Sequence, residues 1–223
     1  MASGVLDDKL KHQDEVYEQF EDLGQQQESY VLGMWTFLVT EVMFFGVLFV
    51  TYTIYRWKYQ PYFYAIHKEL DWRLGGVNTT ILLLSSLFVA LAVHYHQKRD
   101  KKKVLLLLSG TQACAFGFLV IKFFEYKAKF DKGHVPGPGF TWKEEGIPAH
   151  IAQLFYSLYF GMTGLHGLHV IIGIIVFGVL MYLIWKDSPL ITDYIPTELV
   201  GLYWHFVDLV WIFLYPLFYL MPK

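Results

Sequence analysis

Five mainly apolar stretches divide this chain, and each is long enough to cross a lipid bilayer. They run over about 31–55, 74–95, 104–124, 151–185 and 197–221. At about 1.5 Å of rise per residue, roughly 20 helical residues span the hydrocarbon. No water satisfies the backbone at that depth, so spanning segments must be helices or strands of a closed barrel. Barrel strands are shorter and alternate polar with apolar residues. The sequence therefore predicts an all-α integral membrane protein, a bundle of five transmembrane helices. Composition agrees: 17% of residues are charged, below the roughly 25% of soluble domains. The fourth stretch needs tilt or a protruding end.

Residues 1–30 carry eight acids against Lys9 and Lys11. They read as an acidic polar tail before a transmembrane domain at 31–223, with no apolar core of signal-peptide length. The Pro136-Gly-Pro138-Gly segment between the third and fourth spans cannot be helical throughout. Orientation by charge is divided. With the N-terminus inside, eight of the 18 basic residues lie inside and ten do not. The densest short loop, Lys98-Arg99-Asp-Lys101-Lys102-Lys103, favours the N-terminus inside. No basic run is interleaved with aromatics as a nucleic-acid surface requires. The single cysteine, Cys114, reads as a small core residue.

Few ionisable or strongly polar residues fall inside the spans, and Glu41 is the most exacting. It lies near the middle of the first span, where a carboxyl must be protonated, paired or used. His94, Lys122 and Glu125 lie toward span ends and read as side chains that snorkel to the interface. His166 and His169 stand three residues apart, with Thr163 on the same face. Gly161, Gly164, Gly167 and Gly173 open that helix to close approach by a neighbour, with Asn78 as a further packing residue. The histidines are a metal or haem site, or hydrogen-bonding groups in a tight seam. The seam reading is preferred, because no cysteine or dense carboxylate set completes a metal cage. His205 and Asp208, again three apart, form either a proton-relay pair or a static one. No nucleophile elbow, phosphate loop, zinc-hydrolase helix or dinucleotide fingerprint is present. The chain thus carries no self-sufficient catalytic centre and no metal site of its own.

Four strings in order resemble subunit III of the haem–copper oxidase family, the cytochrome c oxidase type. They are Trp35-Thr-Phe-Leu-Val-Thr-Glu41-Val-Met-Phe-Phe45, Asn78-Thr79-Thr-Ile-Leu-Leu-Leu-Ser85-Ser86, Thr163-Gly-Leu-His-Gly-Leu-His-Val-Ile-Ile-Gly173 and Tyr203-Trp-His-Phe-Val-Asp-Leu-Val-Trp-Ile-Phe-Leu-Tyr215. The first is similar to the family helix that holds a buried, carbodiimide-reactive glutamate. The resemblance implies a non-catalytic subunit of an oxidoreductase and translocase complex, binding no haem or copper itself. Those cofactors would reside in partner subunits. The implied partners are oxidase subunit I in direct contact, subunit II, other respiratory-complex subunits and structural phospholipid. The implied role is to stabilise subunit I and support its proton uptake in aerobic electron transport. The implied location is a bacterial cytoplasmic (inner) membrane, with the N-terminus cytoplasmic and the C-terminus periplasmic.

The chain departs from the larger members, which have seven helices. It has five spans, and Phe155-Tyr-Ser-Leu-Tyr-Phe160 replaces a Tyr-Gly-Ser-x-Phe-Phe string. Short members also serve quinol oxidases and accompany nitric oxide reductases, so both remain alternatives. From other classes come a haem-binding electron carrier using His166, His169 and His205, and a proton-coupled transporter built on Glu41. For Glu41 the expected hydrogen-bond partner is His166 or His169.

Overall fold

The computed structural model describes residues 19–143, 146–188, 191 and 193–220. Its long helices are α1 (Leu23–Lys58), α3 (Trp72–Gln97), α4 (Lys101–Asp131), α5 (Ala149–Trp185) and α6 (Ile195–Tyr219). A short α2 (Gln60–Ile66) and a 3-10 turn (His67–Glu69) link α1 to α3. No strand occurs among the described residues. All five long helices are long and apolar enough to cross a membrane.

Helix α1 begins at Leu23, inside the stretch expected to be polar tail. Residues 1–18 lie outside the described residues, as does most of that tail. The start is chemically marked. Asp22 Oδ1 accepts from the Gln25 amide at 2.7 Å, and Gln25 Oε1 accepts from the Glu21 amide at 2.7 Å. One otherwise orphaned donor of the first turn, and one just before the helix, are satisfied in this way, in a variant of the capping box. Further along, Thr36 and Thr40 return their hydroxyls to the carbonyls of Leu32 and Phe37. These polar atoms are therefore satisfied within the helix.

The chain divides into two compact units, Met1–Met43 and Phe44–Lys223. Within the second, α3 packs along α4 and α6, and α5 packs along α4 and α6. The inward stripes have coiled-coil spacing. On α3 the stripe is Gly75, Asn78, Leu82, Ser85, Val89 and Ala92. On α4 it runs Val104, Leu108, Thr111, Ala115, Phe118, Lys122, Glu125 and Lys129. Steps of three and four residues hold one face toward a partner over many turns.

An antiparallel ladder joins α3 to α6. A Cβ at Gly75 would meet the Tyr215 ring at 2.8 Å, so only glycine admits that ring. Next come Thr79 with Trp211 at 3.0 Å, Ser85 with Trp204 at 2.9 Å and Ser86 with His205 at 2.7 Å. His96 and Thr197 close it at 2.7 Å. At Thr79, Ser85 and Ser86 small polar residues on α3 thus meet large rings on α6, whose polar atoms they satisfy. The outward faces are the reverse, with Leu83, Leu84, Leu87, Ile171, Ile172, Ile175 and Val179 exposed. Large exposed apolar faces over polar interiors suit lipid as the solvent.

Helix ends are made by turns. Asp71 and Asp100 cap α3 and α4, each accepting a backbone amide of the first turn. At its far end α4 closes with Gly133 at φ 72°, with His134 N–H on the Lys129 carbonyl and Gly133 N–H on the Phe130 carbonyl. This is the Schellman pattern. Arg99 and Asp187 take the same left-handed position after α3 and α5.

Candidate functional site

The polar interior has three levels, and the most charged was not expected. Lys122 and Glu125 are 7% and 6% exposed, so they do not snorkel. The α4 stripe carries them inward, and their charges meet at 2.9 Å. Tyr159 of α5 and Tyr219 of α6 donate to Glu125 Oε1 at 2.8 and 2.6 Å. The Lys122 ammonium reaches the same two hydroxyls at 3.2 and 3.0 Å. It also lies 5.1 to 5.6 Å from the ring centres of Tyr126, Tyr159, Trp211 and Tyr219. A carboxylate, two hydroxyls and four aromatic faces together replace the hydration of one ammonium. His94, by contrast, is exposed as expected of an end residue.

Beyond the helix ends lies the second level. Lys132 pairs with Glu69 at 2.7 Å, and Lys129 donates to the Glu69 backbone carbonyl. The Lys132 hydrogen bond holds the Glu69 carboxyl below its ordinary range. His134 lies 3.1 Å from the Tyr156 hydroxyl. Burial pushes its imidazole below the usual value, with Lys129 adding to the shift and Glu69 opposing it.

Around Trp211 is the third level. The His166 ring is tilted against Trp211 with centroids 5.1 Å apart, and meets Phe118 edge-on at 5.5 Å. His169 donates from Nδ1 to the Leu165 carbonyl at 2.9 Å, and its ring meets Phe45 at 5.4 Å. A carbonyl only accepts, so His169 Nδ1 carries the hydrogen there. Tyr203 caps the His169 carbonyl at 2.9 Å. Tyr126 and Thr163 hydroxyls meet at 2.5 Å, and Thr163 donates on to the Tyr159 carbonyl.

His205 and Asp208 do not bond to each other. His205 Nδ1 takes the Ser86 hydroxyl, and neither Asp208 oxygen has a hydrogen-bond partner of good geometry. Ser86 also faces the Asp208 carboxyl, so the hydroxyl stands between the two residues. The glycines divide as well. At Gly173 a Cβ would meet the Trp204 ring at 2.5 Å. At Gly164 the nearest atom is the Tyr126 hydroxyl at 3.7 Å, and at Gly161 and Gly167 nothing lies within 4 Å. Asn78 is fully buried.

The sequence profile described as Cytochrome c oxidase subunit III matches residues 145–222. The cytochrome bo(3) ubiquinol oxidase subunit 3 of Pseudomonas putida is 31% identical over 193 residues, 86% of this chain and 85% of that protein. The cytochrome c oxidase subunit 3 of Bacillus sp. (strain PS3) is 31% identical over 85% of this chain and 84% of that protein. A heme-copper oxidase subunit I+III of Aeropyrum pernix is 30% identical over 85% of this chain and 22% of that longer protein. The chain belongs to the haem–copper oxidase subunit III family. In this family context the chain is an integral membrane, non-catalytic subunit. Among its described residues no group of three or more His, Cys, Asp or Glu side chains could hold a metal ion.

For a subunit III, the geometry brings together Trp211, His166 and Lys122, and also Ser86, His205 and Asp208. His166, His169 and His205 face different neighbours, so the three imidazoles of the haem-carrier alternative do not share a centre. Glu41 belongs to the first unit, on the apolar part of α1. The sequence reading missed the Lys122–Glu125 pair with its tyrosines. The signal was present: continuing the three-and-four stripe from Val104 carries Lys122, Glu125 and Lys129 inward.

Proposed function

We propose that this chain is subunit III of a proton-pumping terminal oxidase of the cytochrome c type, in a bacterial cytoplasmic membrane. The observation that carries the reading is 31% identity over 85% of the chain to a cytochrome c oxidase subunit 3. In this reading the N-terminus is cytoplasmic and the C-terminus periplasmic. The chain stabilises subunit I, holds phospholipid and supports proton uptake. A direct seat beside subunit I is supported by the Aeropyrum relative, whose name joins I and III. Subunit II and other respiratory-complex subunits complete the assembly, and haem and copper belong to those partners. Glu41 is the proton- or lipid-linked group. His205 and Asp208 are secondary candidates, bridged by Ser86. Gly173 and Asn78 serve packing, and Gly161, Gly164 and Gly167 leave α5 open to a neighbour.

A second reading, subunit III of a quinol oxidase, is favoured by the equal 31% identity to the Pseudomonas putida ubiquinol oxidase subunit. One experiment separates them. The tagged chain is purified from its native membrane in mild detergent, and its subunits and reduced-minus-oxidised spectrum are recorded. The complex is then fed reduced cytochrome c or quinol. Haem that co-purifies with a larger subunit and leaves with it supports the oxidase reading, and the accepted donor decides the type. Haem that stays with this chain alone would sink both.

A further inference from the structure

Six polar atoms at the centre of the second unit have no hydrogen-bond partner among the described residues. They are Nδ2 and Oδ1 of Asn78, both ring nitrogens of His166 and both carboxyl oxygens of Asp208. The three side chains are 0%, 0% and 3% exposed. They come from α3, α5 and α6, three helices that meet at Trp211. Asn78 precedes Thr79, which accepts the Trp211 indole hydrogen at 3.0 Å. The His166 ring lies against Trp211 at 5.1 Å. Asp208 stands three residues before Trp211, on the same face of α6. Lys122 covers the ring from α4, 5.2 Å from its centre.

Most protein groups nearby are already engaged, and only the Ser86 hydroxyl faces one of these side chains, Asp208. Phe118 and Trp211 flank His166, and the indole hydrogen is already spent on Thr79. His205 is spent on Ser86, and Ser85 on Trp204. Buried polar groups in folded proteins are almost always paired, by protein or by ordered water. In a membrane interior an unmade hydrogen bond costs more still.

We infer that Asn78, His166 and Asp208 line an internal water-binding site around Trp211, shared by α3, α5 and α6 and bounded on α4 by Lys122. A buried water makes about three hydrogen bonds, and this site offers carboxyl, amide and imidazole partners from three helices. Water held there joins a carboxyl on α6 to an imidazole on α5. It forms a polar network along which a proton is shared inside subunit III. The inference goes beyond the oxidase reading and does not depend on the electron donor.

Radiolytic hydroxyl labelling of the intact purified complex, read by mass spectrometry in isotopically labelled water, tests it. Ordered water splits in the beam and marks the side chains beside it. Trp204 is the internal reference: it is as buried as Trp211, but its donor is met by Ser85 and its ring fills the Gly173 notch. Trp211 and His166 are expected to label several-fold faster than Trp204, and that excess is expected to fall in Asn78→Leu. Equal labelling of Trp211, His166 and Trp204 in the unmodified complex would overturn the site. An excess unchanged in Asn78→Leu would overturn the place of Asn78 in it.

Discussion

Lys122 shows what a single residue type says at a given register position. A lysine near the end of an apolar run has two options: reach for the interface, or turn inward and find replacement for its hydration. The stripe position chooses the second, and the chain supplies Glu125, two tyrosine hydroxyls and four ring faces. Breaking such a pair from one side leaves an uncompensated charge, at a cost of about 3–5 kcal/mol. Glu125→Gln is therefore expected to destabilise the purified chain by that order. Lys122→Met with Glu125→Leu removes both charges and is expected to cost much less. Thermal unfolding of the wild type, Glu125→Gln, Lys122→Met, Glu125→Leu and the Lys122→Met/Glu125→Leu double variant in one detergent checks this, the last three closing a double-mutant cycle. Strict additivity of the Lys122→Met and Glu125→Leu losses would contradict the pair. Glu41 poses the functional question at the same scale. Under the proposed role, Glu41→Gln keeps shape and hydrogen bonding while lowering turnover of an intact complex. Unchanged turnover with unchanged assembly would make that glutamate structural only.

At the scale of the helix, glycine acts only where a ring arrives. The α5 string carries several glycines, but Trp204 enters at Gly173 alone. There a Cβ would lie 2.5 Å from the ring, which is fully buried and edge-on to Phe177 at 5.4 Å. The ring has no room to yield. Gly173→Ala is expected to cost about 1–3 kcal/mol by overpacking. Gly167→Ala meets nothing within 4 Å, and alanine favours helix over glycine by about 1 kcal/mol. It is expected to be neutral or mildly stabilising for the purified chain. Melting curves of the two variants should separate in that order, and equal losses would refute the assignment. The same contrast marks how far the sequence could be read. Long apolar runs fixed five helices, because the bilayer sets their length. Which glycine receives a ring, and that Ser86 rather than Asp208 takes His205, depend on the partner helix and are invisible along one chain. Lys122 was legible but misread, since nearness to a span end was weighed above the stripe.

The whole second unit is tied beyond its helix ends by residues far apart in sequence. Glu69 after α2 holds Lys132 and Lys129 from the end of α4. His134 in the following loop reaches Tyr156 on α5, and the Thr141 amide returns to the Gly133 carbonyl. These contacts join α2, α4 and α5 at one end, and two of their members titrate. His134 is depressed by burial, so the folded state binds fewer protons than the unfolded chain. Its contribution is complete above the unfolded value of about 6.5 and is lost as pH falls through the folded one. Glu69 is depressed by its Lys132 hydrogen bond. Its contribution is complete above the unfolded value of about 4 and is lost as pH falls through a lower folded value. Acidification is therefore expected to loosen this end in two successive steps, His134 first. Hydrogen exchange of residues 132–141 in the purified protein, corrected for the intrinsic pH dependence, reads both. His134→Gln should remove the upper step and leave the lower. Glu69→Gln should remove the lower step, and it should also weaken the end at neutral pH by taking the charge from Lys132. Protection that is flat through the upper range in the wild type, or an upper step that survives His134→Gln, would show that the joint between α4 and α5 does not rest on that imidazole.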